Sequence, residues 1–210
     1  MSAFLLFKRF LSRPKQIAYI MPSSKVLIDR VLTKIDFSAP RIIAEFGPGE
    51  GCHTREIIRR MHPDSQLLLF EIDPELYTLV SDQFRDDPRV SVLNTDAANL
   101  PHELASRGIP YCDYVISGIP FSTMEINKKR TLLKRIHESL TPHPRSAFII
   151  YQVTNELAGH CKIFPRNKSE WCVQNIPPMV VTAFYKQGLN GASHNGVAHK
   201  EVALNGSGKH

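Results

Sequence analysis

A run of glycines after the first predicted strand constrains this chain more than any other feature. Residues 41–46 are largely apolar, and Glu45 near their end is followed by Gly47, Gly49 and Gly51 at alternate positions. Glycines at this spacing permit a tight turn and let the backbone approach a ligand near the start of a helix. Because a glycine run alone is a weak signal, its meaning depends on the residues that follow it.

Two acidic residues follow the next two predicted strands. Glu71 ends the apolar segment 67–71 and lies 20 positions after Gly51. A dinucleotide-type fold places a carboxylate that binds ribose hydroxyls at about this distance. Asp96 follows the third predicted strand, at 89–93. Acids around the turn favour a cationic ligand and disfavour the pyrophosphate of a nicotinamide cofactor.

The order of these elements resembles the S-adenosylmethionine site of class I methyltransferases. That resemblance implies that Glu45 and the glycines contact the amino-acid part of the cofactor. It also implies that Glu71 binds the ribose and Asp96 the adenine. An ordinary strand–helix turn with surface acids is the alternative. The cofactor-binding residues implied are Ser23, Ser24, Glu45, Gly47, Gly49, Gly51, Glu71, Ile72, Asp96, Ala97 and Ser117.

Predicted strands and helices alternate along the chain, which favours a doubly wound α/β fold. Two strands near the end, at 170–175 and 179–185, are joined closely and are expected to be antiparallel. The predicted fold is a mostly parallel seven-stranded sheet with a C-terminal antiparallel hairpin, Rossmann-like as in class I methyltransferases, preceded by an N-terminal amphipathic helix. The other predicted strands are 41–46, 67–71, 89–93, 112–117 and 146–153, and the predicted helices are 25–35, 52–61, 74–84 and 125–140.

The chain has 210 residues, which suits one domain with a sizeable core. We expect a basic N-terminal segment at 1–35 that serves as a substrate lid, a methyltransferase domain at 36–186 and a disordered tail at 187–210. The tail lacks the large apolar residues that offset the entropy of ordering. The net charge of +6 lies in the first segment, which indicates an anionic partner such as nucleic acid or a membrane.

The cysteines and histidines show no metal-binding spacing. Four cysteines are scattered without a CxxC pair, and the nine histidines lack HxxxH spacing. We therefore expect reduced thiols and no metal site. No apolar run approaches the roughly 20 residues that span a bilayer.

Residues 3–13 place apolar and basic side chains on opposite faces of a predicted helix. An apolar face with phenylalanines beside a Lys/Arg face is typical of a helix lying in a membrane interface. Packing of the helix on its own domain is the alternative, and a signal peptide is disfavoured because the apolar stretch precedes the charges. The membrane-contacting residues predicted are Phe4, Phe7, Lys8, Arg9, Phe10 and Leu11.

The loop after the fourth predicted strand, at 117–121, indicates the class of substrate. Its Ser-Gly-Ile-Pro-Phe sequence resembles the Asn-(Ile/Leu)-Pro-(Tyr/Phe) motif of rRNA adenine dimethylases. In that family the Asn side chain accepts a hydrogen bond from the base, and the aromatic residue stacks on it. Gly118 stands at the Asn position, and bare backbone suits an aliphatic amine better than a planar base. The substrate-binding residues predicted are Gly118, Ile119, Pro120, Phe121 and Gln152.

The N-terminal helix, the connector at 13–24, the glycine motif and the loop at 117–121 together resemble bacterial phospholipid N-methyltransferases. The resemblance implies a cytoplasmic enzyme, peripheral on the inner face of the membrane, that uses S-adenosylmethionine. Its lipid substrate would lie at an anionic membrane surface and would be phosphatidylethanolamine or an aminolipid such as ornithine lipid. No nucleic-acid partner and no metal are expected. A nucleic-acid adenine methyltransferase and a non-catalytic S-adenosylmethionine-binding protein are the alternatives.

Methyl transfer needs a neutral amine, so some group must accept the proton that a lipid amine carries at neutral pH. Tyr19, Tyr151 and His160 are the catalytic candidates, with interfacial water as a further possibility. Tyr19 is preferred because its connector is expected to lie over the cofactor pocket.

Overall fold

A seven-stranded sheet lies at the centre of the described chain. The protein is described from a computed structural model, which covers residues 23–157 and 161–186. The strands are β1 Ile42–Phe46, β2 Gln66–Phe70, β3 Val90–Leu93, β4 Tyr114–Ser117, β5 Ala147–Gln152, β6 Arg166–Cys172 and β7 Met179–Tyr185.

The sheet is mostly parallel, with an antiparallel strand pair at one edge. Its strand order is β3-β2-β1-β4-β5-β7-β6. The pairings from β3 to β5 are all parallel, whereas β7 runs antiparallel to both β5 and β6. The predicted fold class is thereby confirmed.

Helices cover both faces of the sheet. They are α1 Lys25–Leu32, α2 Cys52–Arg60, α3 Pro74–Phe84, α4 Leu100–Ser106 and α5 Ile126–Ser139, with 3-10 turns at Ala97–Asn99 and Phe121–Thr123. The first three helices share one apolar core with alternate strand residues, and the last two share the other. Because strand side chains alternate between faces, the central strands are apolar on both sides, as expected of a buried parallel sheet.

The first helix belongs to the core of the sheet. Ser24 caps α1 by accepting a hydrogen bond from the Leu27 N–H at 3.2 Å. The helix buries Leu27 and Val31 on the same face as α2 and α3. The predicted N-terminal segment at 1–35 therefore includes a helix, Lys25–Leu32, whose apolar side chains belong to this core. The amphipathic helix at 3–13, Tyr19, His160 and the tail at 187–210 lie outside the described residues.

Strand β6 begins earlier than predicted. The sequence analysis expected a strand at 170–175, whereas β6 spans Arg166–Cys172 and the turn to β7 follows it. Its first residues are polar and partly exposed, because β6 is the edge of the sheet and forms by pairing with β7 alone. An edge strand of this kind carries little hydrophobic alternation for a sequence pattern to detect.

The described residues contain neither a membrane-spanning helix nor a disulfide. No helix among residues 23–157 and 161–186 is long and apolar enough to cross a bilayer. All four cysteines lie in this part of the chain and are free thiols.

Gly51 joins the glycine turn to α2 and packs against α3. Its φ of +76° lies in the left-handed region, and a Cβ there would lie 2.8 Å from the Phe84 ring. Glycine is therefore required at this position for two reasons, its backbone conformation and the space available.

We expect Gly51→Ala to lower the free energy of unfolding by about 3 kcal/mol, combining left-handed strain with overpacking. Gly108→Ala is the matched control, since Gly108 has a φ of +67° but open space around its Cβ position. The control should cost only the strain, about 1 kcal/mol. Denaturant unfolding measures both, and equal losses would contradict the packing role of Gly51.

Candidate active site

The loops after β1, β2, β3 and β4 meet at one edge of the sheet, which we call the carboxyl edge. Phe46 at the end of β1 pairs with Phe70 and with Ser117, so these strands end at the same level. Phe70 pairs in turn with Leu93 at the end of β3. Open α/β sheets bind ligands outside the carboxyl ends of their strands.

A cavity of about 380 Å³ lies at the carboxyl edge. It brings together residues from all four loops, including eight that the sequence analysis assigned to the cofactor or the substrate. Those eight lining residues are Gly47, Glu71, Ile72, Asp96, Ala97, Gly118, Ile119 and Pro120. Phe70, Leu76, Thr95, Met124 and Leu132 complete the lining.

Glu45 is a buried carboxylate with one unused oxygen. Its Oε2 accepts a hydrogen bond from the Thr54 hydroxyl at 2.7 Å, whereas its Oε1 has no partner. Burial raises the pKa of Glu45 to about 7, and the nearby Glu71 carboxylate raises it further, against the opposing effect of the Thr54 bond. A buried acceptor without a donor is costly and favours a cationic ligand group beside it.

Glu71 is held rigidly at the cavity wall. The Asp73 N–H donates to its Oε1 at 3.0 Å, and the N–H groups of Gly49 and Ile72 also hydrogen-bond to the carboxylate. Burial raises the pKa of Glu71 in spite of these bonds. A carboxylate fixed by backbone donors is suited to accepting hydrogen bonds from ligand hydroxyls.

Asp96 lies exposed at the cavity rim. Its carboxylate accepts a hydrogen bond from the Ala98 N–H at 2.7 Å and so caps the 3-10 turn Ala97–Asn99. This cap fixes the direction of the chain as it enters the cavity wall.

The three glycines of the motif have different surroundings. All have positive φ, at +67° for Gly47, +58° for Gly49 and +76° for Gly51. A Cβ at Gly49 would meet nothing within 4 Å, so the backbone there is open to a ligand. Gly47 lines the cavity, whereas Gly51 is buried against Phe84.

The loop after β4 is fixed by its neighbours. The Ser117 hydroxyl accepts from the Ile119 N–H at 3.1 Å, and the Gln152 amide donates to the Ile119 carbonyl at 3.2 Å. Ser117 and Gln152 therefore shape the loop from behind, and neither lines the cavity. Gly118 donates its N–H to the Phe46 carbonyl at 2.9 Å.

Gly118 has no room for a side chain. A Cβ at this position would lie 2.6 Å from the Tyr151 hydroxyl and 3.1 Å from the Gly47 carbonyl oxygen. The phenol of Tyr151 thus occupies the space in which a side chain at position 118 would begin.

Phe121 lies apart from the cavity. Only 1% of its surface is exposed, and its ring packs edge-to-face on Phe148 with centroids 5.5 Å apart. The 3-10 turn that starts at Phe121 directs the ring into the core beside α5. The structure therefore does not bring Phe121 to the position from which it would stack on a substrate.

His53 is a buried residue near the site that the sequence analysis did not select. It stacks on Tyr151 with ring centroids 4.5 Å apart, and its Nε2 has no partner. Burial lowers the pKa of His53 to about 4 and raises the pKa of Tyr151, so both rings are neutral at pH 7. Only the position of His53 directly after the glycine motif could have drawn attention to it.

Two predicted cofactor residues lie elsewhere in the described fold. Ser24 caps α1, and its backbone N–H donates to the Asn175 side chain at 3.0 Å. Neither Ser23 nor Ser24 lines the cavity. In residues 23–157 and 161–186, no group of three His, Cys, Asp or Glu side chains is arranged to hold a metal ion.

The chain matches the profile of a known protein family. The profile of the family described as "Ribosomal RNA adenine dimethylase" matches residues 20–197. The chain belongs to the ribosomal RNA adenine dimethylase family. It is therefore an S-adenosylmethionine-dependent methyltransferase.

Among curated relatives of this family member, an ornithine lipid N-methyltransferase of Singulisphaera acidiphila is 30% identical over 139 residues, or 66% of this chain and 72% of that protein. A ribosomal RNA small subunit methyltransferase A of Dehalococcoides mccartyi is 26% identical over 99 residues, or 47% of this chain and 32% of that protein. A ribosomal RNA small subunit methyltransferase H of Bordetella petrii is 33% identical over 79 residues, or 38% of this chain. The match covers 22% of that last protein, so the alignments span less than a third of these two rRNA methyltransferases.

Solved structures support the fold. A precorrin-6y C5,15-methyltransferase from Geobacter metallireducens superposes with a TM-score of 0.60 at 13% identity, covering 77% of this chain and 88% of that one. An rRNA methylase from Streptococcus thermophilus gives a TM-score of 0.55 at 12% identity, covering 80% and 99%.

Glu71 lines the cavity, whereas Glu45 and Gly49 lie outside its lining. Gly49 is nevertheless next to the cavity wall, because its N–H hydrogen-bonds to Glu71. Together the three residues fit S-adenosylmethionine. The unpartnered Oε1 of Glu45 would accept from the cationic amino group of the cofactor. Glu71, already oriented by backbone N–H groups, would accept from the ribose hydroxyls. The open backbone at Gly49 permits the close approach that the amino-acid part requires.

We expect the titration of Glu45 to lower the stability of the cofactor-free protein as pH rises. The folded pKa of about 7 lies above the ordinary 4.5, so this stability is complete below pH 4.5 and lost as pH rises to about 7. The shift corresponds to about 3 kcal/mol. Glu45→Gln should remove this part of the pH dependence. The raised pKa of Glu71 acts in the same direction as Glu45, whereas the lowered pKa of His53, about 4, makes stability rise as pH rises from about 4 to the ordinary 6.5. Between pH 4.5 and 7 the stability of the variant should therefore change with a more positive slope than that of wild type.

Denaturant unfolding at several pH values between 4.5 and 8 tests this expectation. Glu138→Gln is the control, since Glu138 is an exposed residue on α5. The control should keep the wild-type slope. An identical slope for wild type and Glu45→Gln would contradict the burial of a titrating carboxylate.

Proposed function

We propose that this enzyme transfers methyl groups from S-adenosylmethionine to the amine of a lipid head group at a membrane surface. Phosphatidylethanolamine or an aminolipid such as ornithine lipid would be the substrate. The observation that carries the proposal is the contact between Gly118 and the Tyr151 hydroxyl, because it determines what the loop after β4 presents to a substrate.

A planar base needs an amide at this loop, and the chain has no place for one. In the motif that the loop resembles, an Asn side chain binds the flat amino group of the base. Here the phenol of Tyr151 lies where that side chain would start. The loop therefore offers backbone carbonyls and a phenol, which suit a tetrahedral aliphatic amine.

Phe121 gives a second reason to favour an aliphatic amine. Base recognition in the resembling motif uses an aromatic ring that stacks on the substrate. The ring of Phe121 is buried against Phe148 instead, and the neighbouring cavity wall is formed by Ile119, Pro120 and Met124. The similarity to an ornithine lipid N-methyltransferase over 66% of this chain supports the same choice.

The chemistry requires a neutral amine beside an electrophilic methyl group. When bound, S-adenosylmethionine supplies that methyl group on a sulfonium centre. Tyr151 remains a neutral phenol at pH 7, because burial raises its pKa, and its oxygen can accept a hydrogen bond from the incoming amine. The stacked His53 holds the ring of Tyr151 in place. Positioning in a water-poor site then supplies most of the rate.

The N-terminal segment would bring the enzyme to the membrane. Its apolar residues Phe4, Phe7, Phe10 and Leu11 would enter the interface, while Lys8 and Arg9 would contact anionic head groups. The enzyme would then be peripheral on the cytoplasmic face of the membrane.

An rRNA adenine methyltransferase is the second candidate. The rRNA methyltransferases among the relatives and the Ile-Pro-Phe sequence of the loop favour it. The occupied space at Gly118 and the buried ring of Phe121 count against it.

The proposal is tested by offering labelled S-adenosylmethionine with three acceptors in separate reactions. These are phosphatidylethanolamine vesicles, ornithine-lipid vesicles and protein-free rRNA. We expect label in a lipid and none in RNA. Label in RNA alone would overturn the proposal in favour of the second candidate, and label in neither would exclude both.

We expect Tyr151→Phe to lower kcat for lipid methylation by roughly tenfold or more, which is the loss of one hydrogen bond to the reacting amine. S-adenosylmethionine affinity, measured by calorimetry, should change little. Tyr111→Phe is the control, because Tyr111 is an exposed tyrosine at the opposite edge of the sheet. Full activity of Tyr151→Phe would contradict the role of the Tyr151 hydroxyl in binding the reacting amine.

A further inference from the structure

Large apolar side chains exposed to solvent are concentrated at the carboxyl edge. Seven such side chains occur in the described residues, with exposed fractions between 41% and 76%. Tyr111 lies at the opposite edge, next to Cys112, which pairs with the end of α5. The six at the carboxyl edge are Val26, Ile72, Ile126, Trp171, Val173 and Ile176.

The strand register places the turn between β6 and β7 beside the active-site loops. Cys172 at the end of β6 pairs with Met179, and Gln152 at the end of β5 pairs with Val180. Ser117 pairs with Ile150, so β4 and β5 end at nearly the same level. The turn at 173–178 therefore projects from the same edge as the loop that carries Gly118.

The turn is anchored to the start of α1. The Asn175 side chain accepts from the Ser24 N–H at 3.0 Å and donates to the Pro177 carbonyl at 2.8 Å. Asn175 is buried, while Val173 and Ile176 on either side of it are exposed. A fixed polar residue between two projecting apolar ones holds both side chains in a defined outward position.

We infer that these six side chains form a membrane-contacting surface that seats the carboxyl edge on an anionic lipid bilayer. We call it the apolar rim. The choice of a bilayer depends on the proposed function, because a lipid amine reaches Gly118 only if this edge faces the membrane. Of the six, Ile72 lines the cavity, and the others lie along the same edge of the sheet. Exposed apolar groups concentrated at one edge indicate an interaction site.

The chemistry of the apolar rim favours lipid over RNA. Val173, Ile176 and Ile126 are aliphatic, so they can enter hydrocarbon but offer no ring face for a base. Trp171 is the residue type that accumulates at bilayer interfaces. Exposed basic side chains lie next to these groups, Lys25 beside Val26 and Lys128 near Ile126, where they would meet anionic head groups.

Trp171 provides a direct test, because it is the only tryptophan of the chain. Vesicles of phosphatidylcholine and phosphatidylglycerol contain no primary amine, so binding is measured apart from methylation. We expect these vesicles to shift the Trp171 emission of the full chain to shorter wavelength. Brominated acyl chains should quench the emission, and iodide in solution should quench it less than before. Unchanged emission from vesicle-bound protein would overturn the inference.

The Trp171 emission measured without vesicles shows whether something other than a bilayer covers the apolar rim. If Trp171 is already blue-shifted and protected from iodide, then the chain itself or a second copy covers the apolar rim, and the inference is wrong. We expect iodide to quench the Trp171 emission of the free protein, because the side chain is exposed.

Val173→Ser combined with Ile176→Ser tests the turn. We expect vesicle affinity to fall by roughly tenfold or more, since two aliphatic groups no longer leave water. Tyr111→Ser is the matched control and should bind vesicles like wild type. S-adenosylmethionine affinity should be unchanged in both variants, which shows that they fold. Equal vesicle affinity for the double variant and wild type would overturn the inference.

These results separate the two proposals. In one outcome, wild type methylates lipid and the double variant binds vesicles as tightly as wild type. The proposed function would then stand, and the membrane-contacting role of the apolar rim would be overturned. In the other outcome, the double variant loses vesicle binding but wild type methylates no lipid. The membrane-contacting role of the apolar rim would then be supported, and the proposed function would be overturned.

Discussion

The parallel pairing of β1 with both β2 and β4 is the constraint on which the site depends. Phe46 lies level with Phe70 and Ser117, so the chain leaves three neighbouring strands at the same height. Strand side chains alternate, and a slip of one residue in β1 would exchange Glu45 with Phe46 between the two faces. Phe46 would then leave the core beside α5, and the acid would enter it. The packing of an apolar core on each face of β1 therefore fixes the position of the Glu45 carboxylate.

Glu45, His53 and Tyr151 form a polar group inside an otherwise apolar face. Burial raises the pKa values of Glu45 and Tyr151 and lowers that of His53, so at pH 7 the two rings carry no charge and Glu45 is only partly ionised. Free atoms on Glu45 and His53 remain without hydrogen-bond partners. Such a group costs stability in the absence of a ligand. This loss of stability is expected at a binding site, because a cationic ligand can supply the missing hydrogen-bond donor and restore the stability.

Much of the fold was predictable because its signals are local. Strands β1 and β2, helix α3 and the acids Glu45 and Glu71 follow from apolar periodicity and from turn residues at fixed spacing. The start of β6 was not, because an exposed edge strand has little apolar alternation. The position of β6 depends instead on its pairing with β7, which is a long-range contact.

Three features of the candidate site show why sequence alone was insufficient there. The burial of Phe121 depends on Phe148, 27 positions later in the chain. The significance of His53 depends on Tyr151, which only the pairing of β4 with β5 brings near the glycine turn. The sequence shows that Gly118 replaces an amide residue, but the reason is the phenol of Tyr151, which β5 places against the loop after β4.

The arrangement of the carboxyl edge restricts how a lipid can approach. Glu71 and Asp96 line the cavity together with the Gly118 loop, and Ile72 of the apolar rim belongs to the same lining. The proposed function requires a lipid amine to reach Gly118 while its acyl chains stay in hydrocarbon. That condition is met when the edge lies against the bilayer, since any other orientation would draw the chains through water. In that proposed orientation, exposed Ile126 and Ile176 would lose their contact with water on binding, and the face that admits the substrate would also stabilise the docked enzyme.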